Sequence, residues 1–186
     1  MHYRLFVLTD QKNARTSKEA RDYVYNELSN DNSFVGDGGR FSSPIADWFV
    51  IGGRWSGALT QLLLNQKKLK AFWKEFEKQQ LGWTNNTDKK TEHQQKKSQE
   101  LFIQYFPNFK GEIPIWRDAG YIHEGYEDDA QLINKELWEA LKKDYKKGIP
   151  SEPTPEDDRL CDLEGDEVIE ENVIGKKWLV VVDYHN

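Results

Sequence analysis

Two short stretches hold the residue types from which a binding or reactive site is built: DWFVIGGRWSG at 47–57 and RDAGYIHEGYEDD at 117–129. In the first, a glycine pair can turn backbone N–H groups toward an anion, because no Cβ blocks the approach. Arg54 could add a planar fork for phosphate or carboxylate, and Trp48 or Trp55 a face on which a flat ring stacks. GDGGR at 36–40 ends at Arg40 and could supply a second glycine-rich wall. Together Trp48, Gly52, Gly53, Arg54, Trp55 and Arg40 point to an anionic or nucleotide-like small molecule. The spacing, however, is neither G-x-G-x-x-G nor G-x-x-x-x-G-K-[ST]. The competing reading is a tight corner: the glycines turn a hairpin, Asp47 pairs with Arg54, and both tryptophans pack inward.

The second stretch offers His123, Glu127, Asp128 and Asp129 to a cation, since hard ions take oxygens and a histidine suits a transition metal. Neighbours such as Asp128 and Asp129 point to opposite faces of an extended chain, and neither an EF-hand loop nor H-E-x-x-H is present. No metal is therefore expected, and an exposed acidic loop leading into a helix accounts for the pattern. His123 and Asp128 are the acid/base candidates if any reaction occurs. Whether one is catalysed stays open, and no cofactor is expected. His2, His185 and Asp183 could meet where the terminal strands pair. Cys161 is the only cysteine, so an internal disulfide is excluded, and its acidic neighbours Asp158, Asp162 and Glu164 blunt its nucleophilicity.

DWFVIGGRWSG resembles a D-W-[FY]-x-[IV]-G-G-R-W segment of uncharacterised bacterial and bacteriophage proteins, and EDDAQLI, just before a helix, resembles a second segment of that group. The resemblance covers about a dozen of the 186 residues. It implies a phage or prophage origin and a convergence of the two segments on one site. It implies no activity and no catalytic residue.

The elements that must position these residues follow from periodicity. HYRLFVLT predicts a strand covered on both faces. Thr16 and Glu19 have capping-box spacing, and Ala20, Val24 and Leu28 share the face of the helix that follows. DWFVI predicts a strand, and WSGALTQLLL its hairpin partner, a helix from Ser56 being the alternative. Asn65 should cap a helix in which Leu69, Phe72, Trp73 and Phe76 recur at i, i+3, i+4, i+7. Leu101, Phe102 and Tyr105 belong to the next helix, and Asn134 caps one that buries Leu137, Trp138 and Leu141. KKWLVVVDYH is a final strand. The fold class is α+β: a small mixed or antiparallel sheet with both terminal strands, covered by about four helices, in one domain over 1–186. Segments 85–99 and 150–172 read as polar or charged and mobile, the alternative for 85–99 being the exposed start of the helix that buries Leu101, Phe102 and Tyr105.

Charge bounds the partners. The net charge of −6 argues against general nucleic-acid binding, and no apolar run approaches the ~20 residues of a membrane span. Without a signal-like start or paired cysteines, a cytoplasmic setting is expected. Locally the balance swings. Residues 67–97 carry nine Lys against four acids, and 151–172 carry ten acids against one Arg. Either segment could bind a protein partner, which makes a non-catalytic accessory protein the alternative to a small-molecule binder.

Overall fold

The computed structural model describes residues 2–30, 46, 48–81, 88–110, 127–145, 149 and 160–185, with the side chains of His2, Trp48, Arg54, residues 88–92 and Glu127 outside that description. Among these residues the chain forms six α-helices and a five-stranded mixed sheet, an α+β architecture. In chain order they are β1 (His2–Asp10), α1 (Ser17–Asn30), β2 (Trp48–Ile51), α2 (Ala58–Leu63), α3 (Gln66–Lys78), α4 (Asp88–Tyr105), β3 (Ala130–Leu132), α5 (Lys135–Asp144), β4 (Leu160–Asp162), α6 (Glu170–Val173) and β5 (Lys177–His185).

β5 is the axis. Its antiparallel pairing with β1 runs the full length of both, from His2 opposite His185 to Asp10 opposite Lys177. β4 then lies parallel to β1 on its far side, which makes the sheet mixed. A strand flanked on both edges and covered on both faces must be apolar without alternation, and Trp178 through Val182 are all buried. Leu5, Val7, Val180, Val182 and Tyr184 face Ala20, Val24 and Leu28 of α1. Phe6, Leu8, Leu179 and Val181 face Ala58 and Leu59 of α2 and Leu137, Trp138 and Leu141 of α5. The body is thus three layers, helix, sheet, helices.

The other edge of β5 is shared by two strands set end to end. β2 occupies it from His185 to Val182 and β3 from Val180 to Trp178, both antiparallel to β5. In effect one edge strand is broken at Val181. The chain leaves the edge after Ile51 and regains it at Ala130, and α2, α3 and α4 lie in the excursion between. α2 packs on α5 in the body, whereas α3 and α4 pack on each other. Leu69, Phe72, Phe76, Leu81, Leu101, Phe102 and Phe106 form a core of their own, separate from the two sheet cores. Phe72 stands edge-on to Phe102 at 5.6 Å between ring centroids, a favoured aromatic geometry. We refer to α3 and α4 as the arm.

Local signals were reliable where they were strongest. Thr16 Oγ1 accepts from Glu19 N, and Glu19 reaches back to accept from Arg15 N, one residue beyond the expected reciprocal partner. Asn65 accepts from the N–H groups of Lys67 and Lys68, and Asn134 from that of Leu137. Two expectations are corrected and one alternative holds. Residues 56–64 are not the second strand of a hairpin: a 3-10 turn over Gly53–Trp55 leads into α2. Residues 88–99 are helical, within α4. The charged 150–172 segment contains β4 and the start of α6, because the run Leu160–Cys161 is buried against β1.

Candidate functional site

At the break in the edge strand the two stretches singled out by sequence meet. Gly52 continues the ladder for one residue, its N–H donating to Val181 O at 2.8 Å, and then turns away. Its φ of 73° and ψ of −77°, followed by φ of 54° at Gly53, lie where L side chains are strained. Space forbids a side chain as well. A Cβ on Gly52 would fall 2.1 Å from Asp129 Oδ2, and one on Gly53 would fall 2.6 Å from Asp183 Oδ2. The glycine pair is therefore packed against two fully buried carboxylates.

Asp129 joins the chain's departure from the edge to its return. Its Oδ2 accepts from Ser56 Oγ at 2.8 Å and its Oδ1 from Gly57 N–H at 2.9 Å. Gly57 stands at the N-cap of α2 with φ of 80° and has no side chain to cap with, so a carboxylate 72 positions on supplies the acceptor. This is why 56–64 became a helix: the cap comes from a distant segment, invisible to local pattern. Ser56 is buried and its hydroxyl is engaged, so it stands as a structural link rather than a nucleophile.

Trp55 lies half-buried beside this corner, against the α2–α5 core. Its indole N–H is buried and meets no acceptor among the described residues. Arg4 from β1 passes 5.8 Å from its ring and 4.7 Å from that of Phe6, and donates to Asp144 at 2.8 Å. Of the other expected residues, Asp47, Arg40 and His123 and the side chains of Trp48, Arg54 and Glu127 lie outside the described residues. Asp128 is half-buried next to Asp129. No group of three or more metal-ligating side chains occurs among the described residues. His2 and His185 pair through their backbones, as the terminal strands required.

A second charged centre escaped the sequence reading. Lys177, at the start of β5, is 1% exposed and is ringed by Asp162 Oδ2 at 2.8 Å, Asp10 Oδ1 at 2.9 Å, Asp166 Oδ2 at 3.1 Å and Glu164 Oε2 at 3.3 Å. An ammonium has three N–H bonds to offer four carboxylates. Asp162 Oδ2, close as it is, accepts no directed hydrogen bond and is held as an ion contact. Glu164 is tied further by Thr9, Asn13 and the backbone N–H of Asp10. Burial alone would lower the Lys177 pKa, but the close negative charges of Asp162, Asp10 and Asp166 outweigh it and hold it above its ordinary value. For Asp10, burial raises the pKa, and the bonds to Lys12 and Lys177 outweigh that and lower it. A raised lysine is a fixed cation and a poor nucleophile. The cluster pins β1, β4 and β5 together; a hollow of about 390 Å³ opens beside it, edged by Lys12, Asp166, Asn172 and Lys176.

The arm presents a third kind of surface. Lys67, Lys70, Lys74 and Lys78 recur at i, i+3, i+7 and i+11 on α3, all exposed, on the face opposite Leu69, Phe72 and Phe76. Lys78 lies 3.6 Å from Glu75, and no described carboxylate comes within ion-pair reach of Lys67, Lys70 or Lys74. Lys96 and Lys97 of α4 are exposed too.

These features define an α+β protein with a broken edge strand, a helical arm inserted at the break, and, among the described residues, no helix long and apolar enough to cross a membrane. The chain matches no known family model, no curated protein and no solved structure.

Proposed function

We propose that the chain is a non-catalytic interaction protein that engages an acidic partner surface through the lysine face of its arm. The observation that carries this is the Lys67–Lys70–Lys74–Lys78 stripe: aligned, exposed and opposite an aromatic core that the arm does not share with the body. An accessory role of this kind suits the phage or prophage origin that the sequence resemblance implies. The corner residues support it indirectly, since Gly52, Ser56 and Gly57 direct their polar groups at partners within the chain. The test is binding to a poly-glutamate surface at low salt. Wild type should be retained and released by added salt, and the variant with all four stripe lysines changed to Gln should flow through. Equal retention of both would sink the reading.

A second reading, an anionic or nucleotide-like small molecule at the GGRW turn, is favoured by one observation, the buried indole N–H of Trp55 that meets no acceptor among the described residues. Arg54 would hold the negative group, and Trp48 or Trp55 would stack on its ring. His123 or Asp128 would handle protons if a reaction follows. A thermal-shift screen of nucleotides and sugar phosphates, run beside Arg54→Ala, tests it. A ligand at 100 times its Kd should stabilise wild type by about 2.7 kcal/mol, and the variant not at all. No shift with any member of the screen would count against the pocket.

A further inference from the structure

We infer that the arm's partner is an α-helix with a single line of carboxylates, rather than a nucleic acid; this rests on the arm being the contact surface. The stripe is narrow. At 100° per residue these four lysines fall within an arc of about 80° and rise over about 16 Å in steps of about 4.5 to 6 Å, while Lys68, the fifth exposed lysine of α3, stands outside that arc beside Glu75. Glu75 and Glu77 stand on either side of that arc, both on α3 and directed away from its core. Only a partner whose negative charge is likewise confined to a line can meet the lysines without also meeting these two carboxylates. A helix with Glu or Asp at i, i+3, i+7 and i+11 has the same steps, and its flanks are free to carry Lys opposite Glu75 and Glu77.

A nucleic acid fits poorly on three counts. Duplex DNA carries about one charge per 1.7 Å of axis, so its phosphates would face Glu75 and Glu77 as well as the lysines. Every permanent cation of α3 and α4 is Lys, and Arg, the side chain that forks onto phosphate and guanine, is absent from both helices. A single strand needs exposed rings on which bases stack. The arm's described aromatics, Phe72, Phe76, Phe102 and Phe106, are buried in its core, with Trp73 and Tyr105 half-buried beside them.

The experiment titrates the full chain, at low salt, into three labelled probes followed by fluorescence anisotropy. One is a helical peptide with four Glu at i, i+3, i+7 and i+11; the second has the same composition in scrambled order; the third is a single-stranded oligonucleotide. The patterned peptide should bind at least about tenfold more tightly than the scrambled one, and the advantage should vanish in the quadruple Lys→Gln variant. Circular dichroism and melting of that variant should match wild type, so that lost binding reflects the stripe and not the fold. If poly-glutamate is retained but patterned and scrambled peptides bind alike, or the oligonucleotide binds best, the helical partner is overturned while the arm remains the contact. If poly-glutamate and all three probes fail, the arm reading falls as well.

Discussion

Lys177 and the stripe lysines of α3 are the same side chain under opposite regimes. Lys177 is buried and meets four carboxylates within 3.3 Å, whereas Lys67, Lys70 and Lys74 are exposed and have no described carboxylate in reach. A buried charge must be neutralised on the spot, because its loss of hydration amounts to several kcal/mol. An exposed one keeps its water and contributes little to folding, so its arrangement is free to answer to something else. The difference separates charge that holds the fold from charge that is available to a partner. The glycine corner sides with Lys177: its carboxylates Asp129 and Asp183 are fully buried, and the groups around Asp129 are directed into it.

The largest expected effect breaks the buried side. Lys177→Met leaves Asp162, Glu164 and Asp166 facing one another without their central cation, with only the exposed Lys12 still paired to Asp10, and should cost about 3–5 kcal/mol in urea unfolding. A loss below about 1 kcal/mol would mean that the cluster is solvated and the contrast with α3 is one of degree. Next comes Gly52→Ala. The added methyl meets Asp129 Oδ2 at 2.1 Å in a backbone conformation that disfavours L residues, so Asp129 must move and release Ser56 and Gly57. The expected cost is on the order of 3 kcal/mol, from positive φ and two disturbed buried hydrogen bonds. A melt within a degree or two of wild type would show the corner to be pliable.

The pH dependence sharpens the comparison: the buried cluster has a shifted group of each sign, whereas on α3 Glu75 is lowered by its bonds to Gln79 and Lys78 at the exposed surface. Asp10, normally near 3.8, is lowered in the fold, so its contribution is complete above that value and is lost as pH falls through the lowered one. Lys177, normally near 10.5, is raised, so its contribution is complete below that value and is lost only as pH rises through the raised one. Between the two ordinary values the cluster's contribution in wild type should be flat. The gap to Lys177→Met, by contrast, should narrow as pH falls, starting above the ordinary carboxylate range, because burial and mutual repulsion raise the pKa of the carboxylates left without Lys177. A gap that stays constant as the pH is lowered into the acid range would show that these carboxylates do not depend on Lys177.

How much of this was legible in the sequence depends on the range of the interaction. Elements specified by their own residues were readable: the caps at Asn65 and Asn134, the Leu69–Phe76 face and both terminal strands. What came from far along the chain was not. Residues 56–64 carry a turn-like glycine and strand-like leucines, and the acceptor that caps the helix they form comes from Asp129, far along the chain. Nothing near Lys177 marks it out, since Asp10 lies at the other end of the chain and Asp162 is hidden in an acidic run that reads as solvated. Asp183 has the look of a terminal residue, yet it is buried against Gly53. The meeting of the GGRW and EDDAQLI segments was anticipated, but its form, a join in a broken strand, required the sheet.

A smaller effect is expected at a cap. Asn65→Ala should cost about 1 kcal/mol, since two N–H groups of α3 lose their acceptor to water at an exposed helix end. Smallest of all should be the quadruple change of Lys67, Lys70, Lys74 and Lys78 to Gln, and the comparison stands or falls on it. Gln and Lys have nearly equal helix propensity. Like charges three or four residues apart repel by a few tenths of a kcal/mol, so neutralising them relieves strain, and losing Lys67 removes a cation from the unfavourable end of the helix dipole. Against this stand the Lys78–Glu75 contact at 3.6 Å and the loss of Lys78 from the favourable, C-terminal end of the same dipole. Stability should change by no more than about 0.5 kcal/mol, in either direction. A drop beyond about 1 kcal/mol would mean that the stripe supports the arm's own fold, and lysines that hold the fold are no longer free to define a partner.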